Sequence, residues 1–256
     1  MNVSRNLPPE GQVFPSEGVL YEHSNLSGEA LLSQVVGQGG DLFCYIVTTV
    51  ILNNGKLIQT GTGPNIEGGL VTLCTCKHYM RSGLDVDAWP GQWIAGFTSI
   101  KSVPNYRRGN YLSYLMRVER AYPSYAQLWL DEEVPEEPKS QKNASNNKFG
   151  DLYQLNRHDV RDDHRPKSYF TPRRDHDHCK NDDWHDDLDH LRKHPNFKRQ
   201  PPLLVGDPQL SFLWNVPALY GRSDGFHRDK KFPMTQGNHH HGNSDIREFV
   251  ASLGKG

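Results

Sequence analysis

No stretch of this chain approaches the ~18–20 consecutive apolar residues that cross a bilayer. The longest candidate, residues 42–52, is strand-length and broken by Thr48 and Thr49. Cysteine is scarce. Cys44, Cys74, Cys76 and Cys179 are too few to be a disulfide scaffold for 256 residues, so reduced thiols are expected. The opening Met1-Asn2-Val3-Ser4-Arg5 has no basic region leading into an apolar one, so no secretory signal and a cytoplasmic protein are expected. The formal net charge is −1, which excludes a global basic field. Any nucleic-acid partner must be held by a local patch. There is no Walker lysine loop, no Rossmann glycine fingerprint after a strand and no GxSxG elbow, so the common nucleotide-hydrolase and esterase readings have no support.

Hydrophobic residues make up 35% of the chain. Even with glycine included this stays below the about 45–50% of an ordinary soluble domain, so part of the chain is not core. Ten Phe and five Trp argue against wholesale disorder. Residues 1–40 read as a polar extension with one short helix over 28–36 capped by Ser27. Residues 41–130 carry the β signal. A central buried strand is predicted over 42–52, then a turn at Asn53-Asn54-Gly55. Further strands are predicted over 70–76, over 93–100 with Trp93, Ala95 and Phe97 on one face, and over 111–120. In the last, Leu112, Tyr114, Met116 and Val118 point inward. Ser124 caps a helix through 130. Residues 131–148 read as a linker or mobile loop. In residues 151–200, 29 of 50 positions are Asp, Lys, Arg or His, which predicts a surface-lying, partly disordered insertion. Alternation returns over 203–221, with Leu210, Phe212 and Trp214 on one side. A closing helix carries Ile246, Phe249, Val250 and Leu253, and Gly254 stops it. The fold class expected is α+β: one domain over 41–256 with a β-rich central sheet or small barrel, a few helices and the charged insertion.

Four constellations can carry chemistry. Cys74 and Cys76 share a face if 70–76 is a strand. They would be poorly spaced for a mutual disulfide. Lys77 and Arg81 follow, and a thiol beside a lysine has the makings of a nucleophile. Two small core residues with a solvated lysine account for the same pattern. The run from Asp175 to His190 offers His176, His178, Cys179, His185 and His190 as metal ligands, in a spacing that matches no closed zinc template. Adventitious binding by a polar loop fits as well, and more so for the tract His239-His240-His241. Gln92-Trp93 followed by Tyr106-Arg107-Arg108 can stack a base and hold a phosphate, or form ordinary surface. Asp151 and Tyr153, after Gly150, can bind a polar ligand or make a turn.

In order, these motifs resemble the second of the predicted nucleotide-modification-associated domains, known mainly from phages and bacteria. The resemblance runs from about residue 42 to 253. It rests on Thr72-Leu73-Cys74-Thr75-Cys76-Lys77, then Gly91-Gln92-Trp93-Ile94-Ala95-Gly96 and Tyr114-Leu115-Met116-Arg117-Val118. Gly150-Asp151-Leu152-Tyr153, an Asp/His-rich stretch and Gly225-Phe226-His227-Arg228 follow. His78 stands where that family's signature has proline, and the Asp/His region is expanded. The strand pattern is also similar to the PUA-like superfamily, which includes readers of modified bases.

The resemblance implies action on, or binding to, a nucleotide or nucleic acid, DNA being favoured. Cys76, Lys77, Asp151, Tyr153 and His178 are then the candidate catalytic residues. Cys76 serves as nucleophile or structural thiol, and Lys77 as a phosphate contact. His176, His178 or Asp183 serves as acid–base group or metal ligand. Lys77, Arg81, Trp93, Arg107, Arg108, His227 and Arg228 are the candidate nucleic-acid contacts. His176, His178 and His185 are the candidate ligands of a divalent metal cofactor. Two other classes stay open: a non-catalytic reader of modified nucleic acid, and a scaffold that docks a protein partner through residues 151–200. Convergence of Cys76-Lys77, Asp151-Tyr153 and His176-His178 in one cleft favours catalysis, and dispersal favours the others.

Overall fold

The computed structural model describes residues 12–13, 23–103, 105–106, 109–156, 164–221, 238–241 and 245–255. In chain order the elements are β1 (Gln12–Val13), α1 (Gly28–Gln34), β2 (Leu42–Val47), β3 (Val50–Asn53), β4 (Lys56–Gln59), β5 (Thr72–Leu73), α2 (His78–Arg81), β6 (Trp93–Thr98) and β7 (Asn110–Tyr122). There follow α3 (Tyr125–Leu130), α4 (Glu136–Gln141), α5 (Asp183–Leu188), α6 (His190–Lys193), β8 (Leu203–Leu213), β9 (Leu219–Gly221), β10 (Asn238–His241), α7 (Ile246–Ser252) and β11 (Gly254–Lys255). The fold is α+β around a curled, mixed, β-rich sheet, as expected. Its strand order is β10-β2-β6-β7-β8-β5, with β9 and β11 joined off β7. Among the described strand pairs, β2 and β6 alone run parallel. No helix among the described residues is long and apolar enough to cross a membrane.

Both faces of the sheet are covered, which is why its strands are apolar on both sides. One face carries Leu42, Cys44, Ile46, Trp93, Ala95, Phe97 and Phe212, and is closed by Leu31 and Val35 of the α1 segment and by Ile246, Phe249 and Val250 of α7. Within the stretch read as an extension, α1 is therefore a core element. Ser27 caps it as predicted, accepting from the Ala30 amide at 3.2 Å. The other face carries Phe43, Tyr45, Ile94, Tyr114, Met116 and Val118, packed under Val50, Leu57, Leu73 and Trp89. A third cluster joins Cys74, Tyr125, Tyr153, Trp184 and Leu188 beneath α3 and α5.

Several sequence expectations are corrected. Residues 42–52 are two strands in different sheets, because the chain turns at Thr48 and Thr49. The first strand pairs with β6; the second forms a hairpin with β4 through Asn54 and Gly55, at φ 50° and 80°. That left-handed pair is what a two-residue hairpin turn requires. The strand predicted over 70–76 shrinks to Thr72–Leu73. Cys74 and Cys76 consequently enter different clusters instead of sharing a face. In β7 the pairing shifts so that Gly96 opposes Tyr114 and Phe97 opposes Leu112. Ser113 is the extra residue of a bulge, its hydroxyl donating to the Gly96 carbonyl at 2.9 Å. Leu112 therefore faces away from Tyr114, Met116 and Val118.

The predicted linker is folded. It holds α4, and its Lys142 is fully buried with Nζ donating to Asn65 Oδ1 at 2.6 Å. The charged insertion, in its described part, buries Asp151, His176, Trp184, Asp187, Leu188 and His190. Polar composition does not preclude burial where the buried groups are paired, as Asp151, His176 and Asp187 are. The predicted caps at Ser124 and the apolar stripe of α7 are present. Phe249→Ala should cost about 3–5 kcal/mol by leaving a cavity under the sheet. Urea unfolding would register this as a lowered midpoint at unchanged slope. A loss under about 1 kcal/mol would mark α7 as an appendage.

Candidate active site

Cys76 lies in the tight turn between β5 and α2. Lys77, the residue after it, adopts φ 61° and ψ 38°, a left-handed conformation that costs a non-glycine side chain about 1–2 kcal/mol. Buried Arg81 holds the turn in place: its Nε donates to the Cys76 carbonyl at 2.7 Å and its Nη1 to the Pro202 carbonyl at 2.7 Å. On the other side Gly63 approaches so closely that a Cβ there would stand 2.9 Å from the Cys76 sulfur. Thr62, adjacent to it, bonds Thr75 Oγ1 at 2.8 Å and sets its hydroxyl 3.7 Å from the sulfur and 3.3 Å from His178 Nε2. The thiol is only partly covered.

His178 comes from the charged insertion, in a short helical turn opened by His176. Nε2–H of His176 donates to the Gly150 carbonyl at 2.7 Å, and its Nδ1 accepts from the His178 amide at 3.1 Å. This tautomer anchors the loop. His178 turns Nε2 towards the same spot as the Cys76 sulfur, the Thr62 hydroxyl lying 3.3 Å from the one and 3.7 Å from the other. Its Nδ1–H donates to Asp187 Oδ2 at 2.6 Å. Asp187, on α5, is buried. It also accepts from the Tyr153 hydroxyl at 2.6 Å and from His78 Nε2 at 3.1 Å. A nucleophile, a base and a carboxylate that orients the base thus stand in series.

The electrostatics agree with that order. Burial pushes the Cys76 thiol up, but the hydrogen bond and charge of His178, with the Thr62 hydroxyl, outweigh it and hold the thiol below its ordinary value. Burial alone would lower His178. The Asp187 charge and hydrogen bond, then Cys76, instead raise it to about 11. Burial opposes ionisation of Asp187, yet the two histidines keep it well below the usual carboxylate range. The ionised thiol and the charged imidazole therefore favour one another. Cys44 and Cys74 are pushed up by burial and stay protonated.

Of the candidate catalytic residues, Cys76 and His178 meet. Tyr153 joins them indirectly, as a positioning residue on Asp187. Asp151 is spent on the scaffold, accepting from Thr72 Oγ1 at 3.0 and 2.8 Å. Lys77 is half-buried at the rim, its ammonium 4.8 Å from the Tyr45 ring centroid. Among the candidate nucleic-acid contacts, Arg81 is structural. Trp93 is fully buried with its indole donating to the Gly39 carbonyl, so it offers no face for stacking. Arg107, Arg108, His227 and Arg228 lie outside the described residues. The candidate metal set is not assembled: His176 and His178 have both ring nitrogens engaged, while His185 packs against Trp184. Asp183 opens α5, away from these bonds. Sequence reading missed Thr62, Asp187 and, in a second cluster, His78 and Asp186; it did offer the third member, His190, as a metal ligand, and the ligand atoms of the three lie within 4.8 Å of one another.

Two large surface cavities, of about 590 and 610 Å³, are lined by neither Cys76, His178 nor Asp187. Comparisons with family models, with curated proteins and with solved structures find no match for this chain.

Alkylation of Cys76 by iodoacetamide, followed by peptide mass spectrometry with EDTA present, tests the ion pair. The rate should level off at a pH below that of a free thiol. His178→Asn should move the inflection upward past the ordinary thiol value, because burial then acts without the imidazolium. An unmoved inflection would mean that His178 does not activate the thiol.

Proposed function

We propose that this chain is a cysteine-nucleophile enzyme acting on a nucleotide or on a base of DNA. Cys76 is the nucleophile, His178 the general acid–base and Asp187 the orienting carboxylate. The observation that carries the chemistry is the series Cys76–His178–Asp187, closed by the 2.6 Å bond between His178 Nδ1 and Asp187 Oδ2. The resemblance of the Cys76-Lys77 signature and of the motifs after it supports the substrate class. Lys77 beside the thiol suits an anionic phosphate.

In the reaction, the Cys76 thiolate attacks an electrophilic carbon and forms a sulfur–carbon bond. The displaced electron pair goes to the leaving group, which takes the Nε2 proton of His178. Neutral His178 then removes a proton from water or an acceptor nucleophile. That nucleophile breaks the sulfur–carbon bond and returns the thiolate. Asp187 holds the imidazole in register throughout. The Thr62 hydroxyl, in reach of both sulfur and imidazole, is suited to donate to negative charge developing beside the sulfur. A reader that stacks a base on Trp93 is less well supported, because that indole is enclosed.

Mass spectrometry of nucleosides from cells expressing the protein should find a new species that disappears with Cys76→Ala. Asp187→Asn should slow its formation by roughly 10²–10⁴-fold, as expected when the base loses its orienting carboxylate. Persistence of the species with Cys76→Ala overturns the nucleophile. A reactive Cys76 with no new nucleoside overturns the substrate class.

A further inference from the structure

His190 is 4% exposed, yet neither of its ring nitrogens has a hydrogen-bond partner. The same holds for Asp186 Oδ1, which stands 3.2 Å from His190 Nδ1 without hydrogen-bond geometry. Leaving buried imidazole and carboxylate atoms without partners is destabilising. Such a group in a folded protein calls for an explanation. The His78 ring lies 4.2 Å from that of His190, centroid to centroid. His78 commits Nε2 to Asp187, which leaves its Nδ1 for another partner. A tetrahedral zinc ion with bonds of ~2.0–2.2 Å sets its ligand atoms about 3.4 Å apart, close to the 3.2 Å observed for the Asp186–His190 pair.

We propose that His78, Asp186 and His190 bind one divalent transition-metal ion, of which zinc is the best chemical match, and that His78 connects it to Asp187. Two imidazoles and a carboxylate make a borderline donor set suited to zinc. His194, whose ring lies 4.3 Å from that of His190 and whose Nε2 is 3.4 Å from Asp186 Oδ2, stands at the rim as fourth ligand. A metal-bound histidine commonly donates its other ring N–H to a carboxylate, and His78 Nε2 donates to Asp187 at 3.1 Å. Asp186, His190 and His194 recur every fourth residue, a spacing hidden among the many Asp and His of this stretch. The site stands independently of the thiol chemistry, although both meet at Asp187.

The full chain, stripped with EDTA, loaded with zinc and freed of excess by gel filtration, is the test. Elemental analysis should find one equivalent per chain, and the thermal midpoint should rise on loading. Asp186→Asn and His190→Ala should each lose the equivalent and the rise in midpoint. Asp187→Asn should weaken binding by about 10–100-fold, as second-shell changes do. Cys76→Ala should leave binding unchanged, as should replacement of His239, His240 and His241 by Ala. Cobalt loading should give visible d–d absorption that Asp186→Asn abolishes. No retained metal in the wild type overturns the proposal. Binding that survives both Asp186→Asn and His190→Ala, or is lost with Cys76→Ala or with the histidine-tract variant, also overturns it. Should His190→Ala fail to fold, the near-isosteric Asp186→Asn decides.

Discussion

A single enclosed carboxylate organises the polar half of this molecule. Asp187 accepts from His178, Tyr153 and His78, which reach it from three separate stretches of chain. Hydrogen bonds to a buried ion contribute about 1.5–3 kcal/mol each, and an ion left without them would be strongly destabilising. The geometry of the thiol site therefore follows from the need to satisfy that charge. His178 is held by it, Tyr153 is consumed by it, and α2 is drawn towards the insertion through His78.

The apolar architecture explains why such a site can exist in a chain so rich in charge. The sheet buries both faces and stabilises the fold, leaving the described residues between Asp151 and Gln200 to cover its flank. Trp184 and Leu188 fasten that segment from below. Arg81 and Lys142, which look like surface cations, are internal braces that cap backbone or amide oxygens. Burying a cation is tolerated here because each has oxygen partners at hand.

Legibility from sequence followed the range of the interactions. The caps at Ser27 and Ser124, the Asn54-Gly55 turn and the stripe of α7 are local and were readable. So was the pairing of Trp93, Ala95 and Phe97 on one face. The split of 42–52 was not, because Val50 and Ile51 have the same strand character as Ile46 and Val47, and only non-local pairing separates them. Cys76 and His178 were legible as chemical types. Asp187 was not, because it is one of eleven aspartates within fifty residues, and only folding distinguishes the buried one. Lys142 was misjudged for the same reason: a lysine in a polar stretch carries no local sign that it will be enclosed.

The helices that close one face of the sheet come from opposite ends of the described chain. Leu31 and Phe249 pack in one cluster although about two hundred residues separate them. At the roughly 5–20 residues per second of a translating ribosome, some ten to forty seconds pass between their syntheses. Until α7 emerges, Trp93, Phe97 and Phe212 lack the part of their cover that it supplies. The cover from α7 is therefore the last part of this cluster to become available during synthesis.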